Sequence, residues 1–229
     1  MNKKMLGGLG LLLGAGVYAG AATALEGDPE KGEEVARVCV ACHQEDGMGK
    51  NNPDTESWPR LAGLPEAYMV KQLHDMKADK RHNASMAPIL GTLDDQDMAD
   101  VAAYYAELEP WPELPTAYHA ADPDNAAEWL AERGDWEDGN FIPACSQCHG
   151  PNGQGVGDSF PPLAGQHAAY LKTQLEHWRE GQRHNDPNEL MAGVANRLDD
   201  SQIDMIAEYY ATLPERLEAR GNEQEESAQ

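Results

Sequence analysis

Two copies of one unit make up this chain, and each copy contains the same five-residue pattern, Cys-x-x-Cys-His. The patterns begin at Cys39 and Cys145 and use all four cysteines of the 229 residues. Behind them, a segment that begins at Trp58 (WPRLAGLPEAYMVKQLHDMKADKRHN) matches one that begins at Phe160 (FPPLAGQHAAYLKTQLEHWREGQRHN). An internal repeat of this kind predicts tandem domains of about 90 residues.

Apolar residues in each unit recur at the i, i+4 and i+7 spacing of an amphipathic helix. They are Met69, Leu73 and Met76 in the first unit and Leu171, Leu175 and Trp178 in the second. Because no segment indicates a strand, the predicted fold class is all-α. The predicted boundaries are a first domain over 25–108, a Pro-rich linker over 109–125, a second domain over 126–213 and a disordered tail over 214–229.

The paired cysteines are compatible with three chemistries that require different surroundings. A zinc site would gather both pairs, yet the pairs lie in separate units, each with its own histidine. A thioredoxin-like dithiol would follow a strand in a βαβ unit, which the sequence does not indicate. Covalent haem attachment needs one pair and its histidine, because two intervening residues let one turn of chain present both thiols to the haem vinyl groups. We therefore predict two covalently bound haem c groups, with these attachment residues and proximal iron ligands: Cys39, Cys42 and His43; Cys145, Cys148 and His149.

Each iron then needs a second ligand or keeps an open position, and two pairs of residues compete for that place. Met86 and Met191 lie 43 and 42 residues beyond the histidines of the two patterns, and they are the only methionines at equivalent places in both units. His82 and His184, within the two Arg-His-Asn triplets, are the rivals. Methionine often fills a core, but a thioether ligand gives haem a higher reduction potential than a second histidine does. We favour the two methionines.

Two further pairs are predicted to support the haems. Haem propionates need positive or hydrogen-bonding partners where they are partly buried, and Arg81 and Arg183 are candidates for that contact. An ordinary solvated arginine is the alternative. The carbonyls of Pro59 and Pro161 are candidates to accept the second ring N–H of the ligating histidines and so fix their orientation.

The N-terminal segment has the layout of a secretory signal peptide: two lysines, an uncharged stretch from Met5 to Leu25, and small residues before Glu26. We predict cleavage after Ala24 and a periplasmic protein. If it is retained, the stretch is long enough to cross a bilayer and predicts peripheral membrane association of the domains. Export also permits disulfides, which compete with haem for the same cysteines.

The predicted mature chain is strongly acidic. Loss of residues 1–24 removes two lysines and no acids, so the formal charge changes from −23 (17 − 40) to −25 (15 − 40). Such a surface repels nucleic acid and anionic lipid, and it favours partners with a basic face. Adaptation of a whole exported proteome to salt is the other explanation, and the sequence does not separate the two.

As a set, these motifs resemble the cytochrome c4 family of exported dihaem class I cytochromes. The resemblance runs from about Glu30 to Leu213 and rests on the paired Cys-x-x-Cys-His patterns, the Leu-Ala-Gly step, the Tyr-x-x-x-Gln-Leu helix, "GQRHN" with the methionine after it, and the closing Tyr-Tyr. It implies His/Met ligation of two low-spin haems, two cytochrome c-like domains packed face to face, and Pro59 and Pro161 as partners of the ligating histidines. Where the second domain has Gly181, the first has Asp79, which suggests that the two haem pockets differ.

A haem with both axial positions filled by the protein supports one-electron exchange rather than substrate chemistry. We therefore predict an electron carrier, not an enzyme, that passes electrons from a quinol-oxidising complex toward a terminal oxidase. One alternative is an electron-accepting subunit of a periplasmic dehydrogenase. Another is a dihaem peroxidase, which would require one iron without its methionine.

Overall fold

The computed structural model describes residues 25–52, 57–109, 121–137 and 139–227, with side chains as far as Arg220 in the last helix. The predicted signal peptide and most of the predicted Pro-rich linker lie outside the described residues. Within these ranges the protein is helical, and its extended contacts are isolated bridges rather than strands. The all-α class predicted from the sequence is confirmed.

Within the described ranges, each half contributes five α-helices in the same order. The first half has α1 (Pro29–Ala36), α2 (Val40–His43), α3 (Glu66–Lys77), α4 (Ala87–Leu90) and α5 (Asp95–Glu107). The second half has α6 (Ala126–Arg133), α7 (Ser146–His149), α8 (Ala168–Arg179), α9 (Leu190–Ala195) and α10 (Asp200–Ser227), with short 3₁₀ turns at Pro151–Gly153 and Pro187–Glu189. None of the helices in the described ranges combines the length and the apolar character that a membrane crossing requires.

Aspartate side chains cap the first and last helices of the first half. Asp28 caps α1 by accepting from the backbone N–H groups of Glu30 and Lys31, and a proline occupies the first helical position. Asp94 caps α5 in a reciprocal capping box with Asp97. These caps satisfy N–H groups that have no partner within a helix.

The first and last helices of each half pack against each other. In the first half, α1 approaches α5 so closely that a Cβ at Gly32 would lie 2.0 Å from the Asp100 carbonyl oxygen. The core there contains Leu64, Met69, Val101 and Tyr105. In the second half, α6 packs on α10 around Leu130, Ile142, Ile203, Ile206, Tyr210 and Leu213. The cores lie beside the two Cys-x-x-Cys-His turns, since Cys39 and Cys145 pack against them.

The last helix differs from the predicted disordered tail, because α10 continues from Asp200 to Ser227. Proline inside a helix removes the hydrogen bond to the carbonyl four residues earlier, which for Pro214 belongs to Tyr210. That carbonyl accepts instead from the Gly165 N–H at 2.9 Å. Beyond the proline, Arg220 donates to the buried carboxylate of Glu128 at 2.7 Å. The tail is polar in composition, but the contacts of α10 with α6 and with the loop before α8 support a helix.

The two halves meet through α3 and α8 and the segments that follow them. Arg81 and Arg183 form an antiparallel bridge, supported by the His82 N–H to the Gln182 carbonyl at 2.8 Å and the His184 N–H to the Lys80 carbonyl at 2.9 Å. This part of the interface is nearly symmetric, because each half contributes the equivalent residues.

A second part of the interface has no symmetric counterpart. The Gln166 side chain accepts from the Arg60 N–H at 2.9 Å and donates to the Arg60 carbonyl at 3.0 Å. Next to it, His167 Nε2 donates to the Met48 carbonyl at 3.0 Å. The equivalent positions of the first half are Leu64 and Pro65, which cannot make these bonds. This part of the interface between the two halves is therefore asymmetric.

Candidate haem sites

One helical turn brings each pair of thiols and its histidine together. The His43 N–H donates to the Cys39 carbonyl, and the His149 N–H donates to the Cys145 carbonyl, both at 2.9 Å. The turn is α2 in the first half and α7 in the second. Sulfurs three residues apart and the following imidazole thus lie along one short surface, as attachment of a single flat group requires.

Each of the two histidines is held by one ring nitrogen, which leaves its other ring nitrogen available for a metal. His43 Nδ1 donates to the Pro59 carbonyl at 2.9 Å, and His149 Nδ1 donates to the Pro161 carbonyl at 2.8 Å. In the described part of the protein, Nε2 of His149 is buried and has no hydrogen-bond partner. Burial lowers the pKa of both imidazoles, so the neutral ring is favoured. A neutral ring with an oriented, free Nε2 is the form that binds a metal.

In the first half these groups line one cavity. Its volume is about 220 Å³, and its walls include Cys39, Cys42, His43 and Met86. A single water needs about 10–15 Å³ on this measure, so the space is far larger than a packing defect. Trp58, Leu73 and Val101 contribute apolar surface, which suits a large apolar ligand.

The rival distal ligands differ in their surroundings. Met86 lines the first cavity and lies immediately before α4, whereas the His82 side chain is 58% exposed and its Nδ1 lies 3.1 Å from the Asp79 carboxylate. In the second half, Met191 is half-buried in α9 while His184 is exposed. The geometry therefore favours the methionines over the histidines in both halves.

We expect the double variant His82→Ala/His184→Ala to keep both irons low-spin, because both side chains point to solvent. Visible spectra of the oxidised protein, before and after the change, test this expectation. A high-spin band in the variant would instead favour bis-histidine ligation.

The attachment thiols are unlike those of a redox dithiol. Burial raises the pKa of Cys39 to about 11 and that of Cys145 to about 11. Redox-active Cys-x-x-Cys pairs have a lowered pKa, because the thiolate is the nucleophile. These thiols stay protonated at neutral pH, which agrees with a structural linkage through sulfur.

The residues present fit a haem in each half. Both halves have a thiol pair and an oriented imidazole. Among the described residues, the second half adds the buried, unbonded Nε2 of His149, and the first half adds an apolar cavity, as a haem requires. The cysteines would hold such a group through sulfur, and the histidine and the methionine of each half are the candidate ligands of its iron.

The predicted propionate contacts, Arg81 and Arg183, lie side by side at the centre of the interface and are 4% and 5% exposed. Gln72 Oε1 accepts from both guanidinium groups at 3.0 Å. Gln174 Oε1 also accepts from both, at 2.6 Å and 2.8 Å. The alternative of a solvated surface arginine does not hold, because both side chains are buried.

Sequence reasoning assigned no role to the glutamines or to the tyrosines that join them. Arg81 also donates to the Tyr170 hydroxyl at 2.5 Å, and Arg183 donates to that of Tyr68 at 3.4 Å. A sequence pattern does mark these residues: Tyr-x-x-x-Gln recurs in both halves and places the tyrosine and the glutamine on one face of the helix. It does not show that the face meets the other half.

Comparisons with known proteins agree with this fold. The model of the cytochrome c family matches residues 29–109 and 137–214. Cytochrome c4 of Thiocapsa roseopersicina is 45% identical over 193 residues, which cover 82% of this chain and 93% of the relative. The thiosulfate dehydrogenase electron acceptor of Stutzerimonas stutzeri is 42% identical over 181 residues, covering 79% and 81%. Among solved structures, thiosulfate dehydrogenase TsdBA of Marichromatium purpuratum has a TM-score of 0.70 and 38% identity; the match covers 80% of this chain but only 40% of that longer one.

Two helical halves, each with the attachment pattern and matched by the same family model, define a dihaem c-type cytochrome. Such a protein transfers electrons and is not an enzyme. The chain belongs to the cytochrome c4 family. Its cofactors are two covalently bound haems, and it exchanges electrons with redox partners.

Proposed function

We propose that each haem is ligated by a histidine and a methionine and that the protein is an exported shuttle. The iron ligands are His43 with Met86 and His149 with Met191. The observation that carries this proposal is the buried, unpartnered Nε2 of His149, whose other nitrogen is fixed on the Pro161 carbonyl. A buried ring nitrogen without a partner is costly, so this side chain is arranged for a ligand.

The bound haem supplies one-electron chemistry at the iron. The protein's own residues restrict the iron to this chemistry. The proline carbonyls hold the imidazoles in one orientation, and the methionines would bind the iron and so keep small molecules from it. Apolar side chains keep water from the iron and favour a high reduction potential.

The two buried arginines are proposed to face the propionates of the haems. Asn185 accepts a hydrogen bond from Arg183 and donates one to Asp75 at 2.9 Å. Among the described residues, Asp75 is the one carboxylate linked to the arginines in this way. Asp75 also pairs with Lys71. The two buried guanidinium groups have no ion pair with this carboxylate among the described residues, so they leave positive charge that propionates would balance.

The proposed route runs from a quinol-oxidising complex to a terminal oxidase, in the periplasm, after removal of residues 1–24. The acidic surface would steer a partner with a basic face. A second route is proposed because two relatives at 42% identity are described as electron acceptors of thiosulfate dehydrogenase. On that route the donor is a sulfur-oxidising enzyme.

The two routes can be separated by reduction kinetics of the mature protein. The oxidised protein is mixed either with a quinol-oxidising complex and quinol or with thiosulfate dehydrogenase and thiosulfate, and haem absorbance is followed. We expect rapid reduction by the physiological donor, with a rate that falls steeply as salt is raised, because charge steering is screened. Fast reduction by the thiosulfate enzyme alone would assign the second route. Slow, salt-independent reduction by both donors would contradict the shuttle proposal.

A further inference from the structure

The cavity of the first half is not closed by the first half alone. Its walls also include Tyr170, Thr173, Gln174 and His177, all of which lie on α8 of the second half. These residues are spaced at i, i+3, i+4 and i+7, so they form one stripe along that helix. The stripe faces the same space as Cys39, Cys42, His43 and Met86.

Hydrogen bonds hold this stripe in place. Arg81, from the first half, donates to the Tyr170 hydroxyl and to Gln174 Oε1. The Arg183 N–H donates to the His177 carbonyl at 3.0 Å, which ends α8 beside the bridge between the halves. The position of α8 against the cavity is therefore fixed by buried polar contacts and not by loose packing.

The equivalent residues of the first half have a different chemistry. Thr173 and His177 correspond to Lys71 and Asp75, 102 positions earlier. Lys71 and Asp75 form an ion pair, and both bond to Asn185 of the second half. Each half thus places an unlike pair of side chains against the other: an ion pair from α3, and a hydroxyl with an imidazole from α8.

We propose that the first haem is bound in a composite pocket, with the Tyr170–His177 stripe of α8 as one wall, and that the uncharged His177 side chain keeps its reduction potential higher than a carboxylate at that place would. This inference rests on the proposed haem attachment at Cys39 and Cys42. Tyr170 and Gln174 position the wall through their hydrogen bonds with Arg81. Thr173 and His177 contribute a hydroxyl and an imidazole to its surface.

The charge of His177 matters because the oxidised iron carries one more positive charge than the reduced iron. Burial lowers the pKa of His177, so the ring is neutral at neutral pH, and Glu180, Arg81, Arg183 and His82 are the charged or titratable groups near it. A negative charge at this position would stabilise the oxidised haem through a low-dielectric wall. It would thereby lower the reduction potential of the first haem.

The direct test uses the unmodified, fully reduced protein, which is diamagnetic. Proton NOE spectra first identify the haem whose thioether protons contact the Cys39 and Cys42 side chains. We expect that same haem to show NOEs to the ring protons of Tyr170 or His177. NOEs from that haem to first-half residues alone would overturn the composite pocket, while the attachment itself would stand. Absence of any haem contact with Cys39 and Cys42 would refute the attachment.

A matched pair of variants tests the effect on potential. His177→Asp is compared with His184→Asp, which makes the same change at an exposed histidine of the same half. We expect His177→Asp to lower the potential of the NOE-assigned first haem by clearly more than it lowers that of the second, and His184→Asp to shift both little. Equal shifts in the two variants, or a shift confined to the second haem, would contradict the role of His177. Should His177→Asp fail to fold, the NOE measurement still decides whether α8 forms a wall of the pocket.

Discussion

Replacing Met191 with alanine is expected to lower the reduction potential of one haem and to open its iron to carbon monoxide. The thioether ligand favours the reduced iron, and without it the axial position is vacant or taken by a weaker ligand. A redox titration followed by visible spectra, before and after exposure to carbon monoxide, measures both effects. Half of the total haem should respond.

Met205→Ala provides a control in the same half. Met205 packs against the second core but has no methionine counterpart in the first half. The control variant lacks the same side-chain atoms, so it should cost stability without altering the iron spectrum. If Met191→Ala leaves both the spectrum and the potential unchanged, Met191 is not a ligand.

The double variant Cys145→Ala/Cys148→Ala is expected to lose one covalently bound haem and keep the other. Attachment is local to each half, because each turn presents its own thiols and histidine. Mass spectrometry of the exported protein should show a decrease of one haem, and the haem absorbance per chain should fall by about half. Cys39→Ala/Cys42→Ala should remove the other haem. An unchanged number of haems per chain after either change would exclude attachment through those cysteines and would favour zinc or disulfide chemistry instead.

Local spacing predicts much of each site. Attachment cysteines, proximal histidines and helix starts lie within a few residues of one another, so a single turn of helix fixes their geometry. The Pro59 and Pro161 contacts are also anticipated, and both carbonyls lie within hydrogen-bond distance of the ring nitrogens. Comparison of the two halves removed most methionines from consideration as ligands and left Met86 and Met191.

The remaining features depend on contacts between residues about 100 positions apart. The sequence suggested Arg81 and Arg183 as haem partners, but it could not show that each guanidinium bonds to side chains of both halves. The place of His177 in the cavity wall does not follow from the sequence for the same reason, since its helix belongs to the second half and most of the cavity to the first. The polar composition of residues 214–229 predicts disorder, whereas the helix there is in contact, through Arg220, with Glu128, which lies far away in the chain.

The crossed arginine bonds also bear on how a duplicated protein can evolve. Each hydrogen bond to a charged group contributes about 1.5–3 kcal/mol, and Arg81 and Arg183 each make such bonds to the opposite repeat. A protein with one repeat alone would leave its arginine without those acceptors, on a surface that is complementary to the other repeat. We therefore expect each repeat to depend on the other for the acceptors of its buried arginine.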